Sequence, residues 1–150
     1  MSEAFRVKIP VRFDDVDYAR VLYYPQQVHF FVVALEDFFR DALKLPWSEV
    51  MFGRENLCMP TVALHVNYVR PLHFGQVAEI AIRVGKIGRT SVTFLYTVTD
   101  SQTSQLTCTA EQTVVFVDNA TWQPVPVPDH YRAALTPFCT SEPQQPGKAE

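Results

Sequence analysis

Three aspartates lie within four positions in the stretch RFDDVDYARVLYYP, residues 12 to 25. At this spacing Asp14, Asp15 and Asp17 repel one another, so a purely structural loop gains little from all three. One interpretation is a solvated turn, in which the aspartates accept hydrogen bonds from nearby backbone amides. The other is that one carboxylate faces a cleft and acts as a nucleophile or a general base. The local sequence leaves both interpretations open.

Length and composition indicate one folded domain. The chain has 150 residues, of which 47% are hydrophobic and 19% are charged, an ordinary balance for a globular protein. Its net charge of -3 argues against general affinity for nucleic acids, which requires a clustered basic face. No apolar run approaches the ~18 residues of a membrane span, and we do not expect MSEAFRVKIP to be a signal peptide. We therefore predict a cytoplasmic protein without membrane insertion.

The cysteines and histidines do not have the spacing of metal ligands. Cys58, Cys108 and Cys139 are odd in number, far apart and without a CxxC pair, which favours free thiols in a reducing compartment. The histidines are equally scattered, at His29, His65, His73 and His130. We expect no metal and no cofactor.

A long helix should follow the aspartate loop, after a first strand over residues 5–13 whose apolar residues alternate. Pro25 suits the first helical turn, and Pro46 should end the helix. The first half of this helix, VHFFVVAL, is apolar on nearly every side apart from His29, so other elements must wrap it. Pro10 indicates that the first strand lies at a sheet edge or contains a bulge.

Four further strands and a short helix complete the predicted fold. The strands correspond to TVALHVNYVRP, QVAEIAIRVG, RTSVTFLYTVTD and SQLTCTAEQTVVFVD, and the helix to PDHYRAALTPF. This order predicts an α+β fold in which a curved, antiparallel five-stranded sheet wraps one long central helix. We assign residues 1–138 to this single domain and residues 139–150 to a disordered polar tail. The exposed sheet edge favours pairing between subunits, as a homodimer or a homotetramer.

With this architecture, the aspartate loop resembles a known active-site signature. The run from Asp15 to Pro25 is similar to the loop of hotdog-fold acyl-CoA thioesterases of the 4-hydroxybenzoyl-CoA thioesterase type. The likeness extends over roughly residues 5–118, through Pro60-Thr61, YVRPLHFG at 68–75 and GRTS at 88–91. The resemblance implies a hotdog fold and hydrolysis of an acyl-CoA thioester.

The resemblance also implies roles for particular residues. Asp17 matches the catalytic carboxylate, and the backbone N–H of Tyr24 matches the amide that polarises the thioester carbonyl. Arg89 matches a basic position near the CoA phosphates, and Asp15 an acidic position that supports the loop. The chemistry agrees, because thioester hydrolysis develops negative charge on the carbonyl oxygen and a helix N-terminus offers free amides and positive potential there.

The chain departs from the family pattern at several positions. Arg20 stands where the family usually has glycine. It could change the path of the loop or access to the site, it could pair with one of the aspartates, or it could contact the substrate. Gln27 stands where an aromatic residue is common. Val32 replaces an acidic helix residue, and Glu36, one turn later, is a candidate substitute for it.

The alternatives come from other reaction classes. A hotdog dehydratase would need a histidine with an acid, and no GHFP-like stretch occurs; the GxSxG elbow of a serine hydrolase is also missing. A thioesterase for acyl-carrier-protein substrates and a non-catalytic acyl-binding module stay open. The acyl group should be medium-chain or aromatic, not acetyl or dicarboxylic, because bulky apolar residues lie near the helix and the loop that follows it: Phe30, Phe31, Met51, Phe52 and Met59. Among cations near that region only Arg20 and Arg54 could turn inward toward a charged acyl end.

Overall fold

The segment that contains Pro10 forms the first strand, and the segment that contains Pro25 forms the long helix. In this computed structural model, residues 3–51 and 55–141 are described. Strand β1 spans Phe5–Pro10, and helix α1 spans Tyr24–Asp37 and continues as a π-helical turn through Phe38–Ala42. Pro25 lies in the first turn of α1, where a missing N–H removes no hydrogen bond. The helix ends before Pro46, because Lys44 takes a left-handed conformation with φ 59°.

The remaining elements are mostly strands. Helix α2 (Trp47–Val50) is a single turn, and it is followed by β2 (Leu57–Cys58), β3 (Thr61–Tyr68), β4 (Val77–Ile87), β5 (Ser91–Asp100), β6 (Leu106–Val115) and β7 (Val117–Asp118). Helix α3 (Asp129–Leu135) and a 3-10 turn at Thr136–Phe138 confirm the predicted C-terminal helix. Cys139 forms an isolated parallel β-bridge with Val84, and the Thr140 N–H donates a hydrogen bond to the Val84 carbonyl at 2.9 Å. The chain therefore contacts β4 at this point. Residues 142–150 of the predicted tail lie outside the described residues, and its boundary stays a prediction.

The five long strands form one antiparallel sheet in the order β1-β4-β5-β6-β3. Strands β2 and β7 form a separate pair. Strand β1 is at an edge, as Pro10 predicted, and β3 is the other edge. The predicted α+β hotdog fold, a five-stranded antiparallel sheet with one long helix, is confirmed.

The register defines two ends of the sheet. Pro10 pairs with Val77, so β1 ends where β4 begins, and the aspartate loop leaves the sheet there. Tyr68, at the end of β3, pairs with Cys108 near the start of β6 and therefore lies at the same end. We call this the aspartate end. The β4–β5 turn, between Ile87 and Ser91, lies at the far end.

One face of α1 packs on the sheet. Phe31 stacks on Tyr96 with ring centroids 4.6 Å apart, and Phe38 meets Phe94 edge to face at 6.3 Å. The outer face of the helix differs from expectation, because Val32 remains 45% exposed and His29 is also exposed within a protomer. The prediction that the first half of the helix is wrapped on all sides is therefore wrong for the single chain, since one sheet can cover only one face of a helix.

Candidate active site

The aspartate loop is a small hairpin that ends at the start of α1. Its two sides pair through a β-bridge between Val16 and Leu22. The Tyr23 N–H donates to the Asp15 carbonyl at 2.9 Å, and the Asp17 N–H donates to the Val21 carbonyl at 3.1 Å. At the tip, the Arg20 N–H donates to the Asp17 carbonyl at 2.9 Å. One short unit thus carries both Asp17 and the N-terminus of the helix.

The aspartates of the hairpin have different environments. Asp15 Oδ2 accepts the Arg12 N–H at 2.8 Å, which fixes the entry to the loop and agrees with the supporting role implied for it. Asp17 is exposed, and its Oδ1 accepts the Ala19 N–H at 2.8 Å. Within the described part of the chain, Asp17 Oδ2 makes no hydrogen bond to protein. Asp15 therefore stabilises the entry to the loop, whereas Asp17 keeps one carboxylate oxygen available.

The N-terminus of α1 offers one free amide. The Tyr23 N–H donates to Asp15, and the N–H groups of Gln26 and Gln27 both donate to the Tyr23 carbonyl, at 2.8 and 3.2 Å. Pro25 has no N–H. Among the amides of this described turn, the Tyr24 N–H alone lacks an acceptor, and it adjoins the positive end of a 14-residue helix. This is the donor that an oxyanion requires.

A second segment holds the hairpin in place. The Leu22 N–H donates to the Leu72 carbonyl at 2.7 Å, and Val21 bridges His73. This segment turns through Gly75, whose φ of 87° is unfavourable for other residues. It is tied to the sheet because Gln76 donates from Nε2 to the carboxylate of Asp100 at 2.8 Å. The YVRPLHFG stretch therefore positions the aspartate loop.

Gln76 and Asp100 were not recognised from the sequence. Gln76 also accepts the His73 N–H at its Oε1, at 2.6 Å, and Asp100 is buried with its Oδ1 bonded to the Gln102 N–H at 2.9 Å. The only local signal is that Gln76 directly follows Gly75, which is too weak to assign a positioning role.

Arg20 takes the conformation that glycine favours. Its φ is 65°, in the left-handed region, so the loop follows the path that a glycine at this position would allow. Arg20 is exposed, and it forms no ion pair with a carboxylate in residues 3–51 or 55–141. Pairing with an aspartate is therefore wrong for this structure, whereas an effect of Arg20 on the loop path or on access to the site, and its contact with substrate, stay predictions.

Arg89 lies far from Asp17 within one protomer. It is exposed in the β4–β5 turn, and the 11 residues of β4 separate that turn from the aspartate end. At ~3.3 Å per residue this separation is about 33 Å. The two residues predicted to share a site cannot do so within a single subunit.

The residues predicted to lie near the acyl group differ in their burial. Phe30 and Phe31 are buried in the core, whereas Met51 and Met59 are half-buried. Val32 and Glu36 are both exposed, so the replaced acidic position and its candidate substitute face outward from the protomer. Phe52 and Arg54 lie outside the described residues.

Among the described residues, neither the cysteine thiols nor a cluster of ionisable side chains forms a second candidate site. All three cysteines are free, and burial raises the pKa of each, that of Cys108 to about 12. A thiol with a raised pKa is a poor nucleophile near neutral pH. In the described ranges, no group of three His, Cys, Asp or Glu side chains could hold a metal ion. No helix of those residues is long and apolar enough to cross a membrane.

Comparison with known proteins identifies the family. The sequence model of the thioesterase-like superfamily matches residues 11–135, which include the aspartate hairpin, α1 and the whole of β3 to β6. The chain belongs to the thioesterase-like superfamily. Thioester hydrolysis is accordingly its enzymatic activity, as the resemblance implied. No curated protein matches the chain in sequence.

Solved structures similar to this thioesterase-like chain share its fold. A 1,4-dihydroxy-2-naphthoyl-CoA thioesterase from Synechocystis has 18% identity and a TM-score of 0.82, with 89% of this chain and 96% of that chain covered. The dynemicin thioesterase has 17% identity and a TM-score of 0.83, covering 93% and 100%. The gentisyl-coenzyme A thioesterase BH1999 has 20% identity and a TM-score of 0.76, covering 88% and 99%.

Proposed function

We propose that this protein is an acyl-CoA thioesterase of the 4-hydroxybenzoyl-CoA thioesterase type. Asp17 serves as the nucleophile or as the base that activates water, and the Tyr24 N–H binds the thioester oxygen. The observation that carries the proposal is the free Tyr24 amide, which begins a 14-residue helix directly after the hairpin that bears Asp17. The amide and the carboxylate are the two groups that thioester hydrolysis needs.

Both routes through Asp17 use the same oxyanion donor. In the nucleophilic route, the carboxylate attacks the carbonyl carbon, the C–S bond breaks, CoA leaves as thiolate, and water then cleaves the mixed anhydride. In the general-base route, the carboxylate takes a proton from water as the water attacks, and the CoA sulfur leaves after the oxyanion collapses. The Tyr24 N–H stabilises negative charge on the carbonyl oxygen in each case. The exposed position of Asp17 allows either substrate or water to approach it.

A two-fold dimer through β3 accounts for the distance between Asp17 and Arg89. In the described residues, β3 pairs only with β6, and its Val62, Leu64 and Tyr68 are 60%, 40% and 45% exposed. Identical edge strands related by a two-fold axis pair antiparallel, which places the aspartate end of each sheet beside the partner's far end. The partner's Arg89 then lies at the same end of the continuous sheet as Asp17. We infer that the CoA phosphates bind across this interface, in a homodimer or a dimer of dimers.

The acyl group is proposed to be aromatic or medium-chain. Tyr18, Tyr23 and Tyr24 are exposed around the hairpin, and Phe13 meets Phe74 edge to face at 6.1 Å beside it. Two of the similar structures are named for aromatic acyl-CoA substrates, dihydroxynaphthoyl-CoA and gentisyl-CoA. The free thiols support a reducing, cytoplasmic location.

A kcat/KM panel tests this proposal. The panel comprises acetyl-, octanoyl-, benzoyl- and succinyl-CoA, with octanoyl and benzoyl thioesters of an acyl carrier protein as the second arm. We expect graded turnover, fastest on benzoyl- or octanoyl-CoA, because apolar pockets discriminate by only ~1–3 kcal/mol per methylene group. Fastest turnover on succinyl-CoA would refute the apolar acyl site. Faster turnover on the carrier-protein arm would refute CoA as the preferred carrier.

A further inference from the structure

The side-chain amide of Gln27 is a buried donor without an acceptor. Gln27 is only 3% exposed, and its Nε2 has no hydrogen-bond partner among the described residues. Burying an amide donor unpaired is unfavourable, so nearly all such groups in native proteins are paired with protein, water or a ligand. Two other buried polar side chains are paired: Asp100 accepts from Gln76, and the Thr107 hydroxyl donates to the Val98 carbonyl at 3.1 Å. Among the described residues, the Trp47 Nε1 is the other buried donor without a partner, and it packs beside Phe39, whereas Gln27 lies at the start of α1.

The position of Gln27 directs its amide toward the proposed active site. Helical side chains lean toward the N-terminus of their helix, and residues three apart share a face. Gln27, three residues after Tyr24, therefore leans over the first turn of α1. Phe31, four residues later on the same face, stacks on Tyr96 of the sheet at 4.6 Å. The Gln27 side chain thus lies on the sheet side of the helix start, inward from the free Tyr24 amide.

Two donors without acceptors therefore lie one turn apart at the same helix end. The Tyr24 N–H lies at the N-terminal end of the helix without an acceptor, and it suits the thioester oxygen. Gln27 begins about 4.5 Å farther along the helix axis, by the 1.5 Å rise per residue, and its side chain leans back toward Tyr24. An acceptor for its Nε2 would therefore lie on the inward side of the Tyr24 amide.

We propose that Gln27 is a specificity-determining residue whose Nε2 donates a hydrogen bond to an oxygen on the acyl group. The substrate class is an acyl thioester with oxygen on the carbon β to the carbonyl, as in a 2-hydroxyaroyl or a 3-oxoacyl group. This inference rests on the proposed thioesterase site and narrows its substrate from aromatic or medium-chain acyl groups to oxygen-bearing ones. An acyl group without that oxygen leaves the buried amide unpaired and binds less well.

Binding of a matched pair of inert analogues tests the proposal. 2-Hydroxyphenacyl-CoA and phenacyl-CoA are ketones that differ by one oxygen and contain no hydrolysable thioester. Calorimetric titration of the full-length wild-type protein should give about tenfold tighter binding of the hydroxylated analogue, equivalent to about 1.4 kcal/mol. Gln27→Met keeps an unbranched side chain of similar length and should reduce this preference to about one. Gln26→Met, the same change one residue earlier, should preserve it.

The possible outcomes separate the specificity role from a structural one. An equal preference in wild type and Gln27→Met overturns the proposal, and so does a wild-type protein that binds both analogues equally or neither. Thermal unfolding adds a second readout, because removal of an unpaired buried donor should leave the melting temperature of the free protein unchanged or higher. A lower melting temperature with an unchanged preference would assign Gln27 to the core alone. Since these analogues are not hydrolysed, loss of turnover on benzoyl-CoA would contradict the proposed function without affecting this result.

Discussion

The Tyr68 hydroxyl donates a hydrogen bond of 3.3 Å to the backbone carbonyl of Tyr24. Tyr68 ends the edge strand β3, and Tyr24 begins helix α1 with the amide proposed to bind the thioester oxygen. The edge at which we expect two subunits to meet is therefore bonded directly to the residue that supplies the oxyanion donor. Assembly and activity should consequently change together.

Replacing Leu64 with lysine should separate the subunits and reduce hydrolysis. Leu64 lies in the middle of β3, and a charge there would be buried without a partner in a paired edge. Light scattering should show the wild type at a multiple of 17.1 kDa and the variant at the monomer mass. Trp122→Lys, at another exposed hydrophobic residue away from β3, should leave the assembly intact. A wild-type protein that is a stable, active monomer would contradict the dimeric site.

Arg20→Gly should fold as well as the wild type, whereas Arg20→Val should not. The left-handed conformation of Arg20, at φ 65°, favours glycine and disfavours a β-branched residue. Arg20→Val should therefore lower the free energy of unfolding by ~1–2 kcal/mol. If the guanidinium contacts substrate, as predicted, KM for acyl-CoA should rise ~2- to 5-fold in the glycine variant. Arg12→Val is the control, because Arg12 is extended at φ -99°. Equal thermal stability of the two valine variants would contradict the backbone argument.

Arg89→Ala should raise KM for acyl-CoA without lowering kcat. Contacts between an exposed arginine and phosphate should contribute ~3- to 10-fold in KM and weaken at high salt. The N-acetylcysteamine thioester of the same acyl group lacks the phosphates and should be hydrolysed at the wild-type rate. Lys86→Ala removes a nearby exposed charge of β4 and is the control. An equal loss on both substrates would contradict phosphate recognition.

Much of the fold follows from local sequence patterns. Alternating apolar residues predicted β1 and the long strands, and Pro10 and Pro25 marked an edge strand and a helix start that the structure confirms. The exposed outer face of α1 at Val32 could not be predicted, because periodicity shows that a face is apolar but not which chain covers it. Only the strand order reveals that β3 is an unpaired edge.

The site was predictable in part. Asp17 and the Tyr24 amide follow one another along a single hairpin, so a sequence motif can identify both, although their catalytic roles stay predictions. Arg89 and Asp17 were predicted to share a site, but their positions at opposite ends of β4 depend on sheet topology. The left-handed Arg20 and the unpartnered Nε2 of Gln27 depend on backbone and burial, which residue types alone do not determine.

The most direct test of the account is turnover by Asp17→Asn on the best acyl-CoA of the panel, measured as released CoA thiol. Asparagine can still accept the Ala19 N–H at its Oδ1, so the turn should persist while the attacking carboxylate is lost. We predict a fall in kcat of at least ~10²-fold with an unchanged melting temperature. Asp14→Asn, at an exposed neighbour in the same loop, should retain wild-type turnover. Near-normal turnover by Asp17→Asn would contradict the central claim that this carboxylate performs or assists the attack.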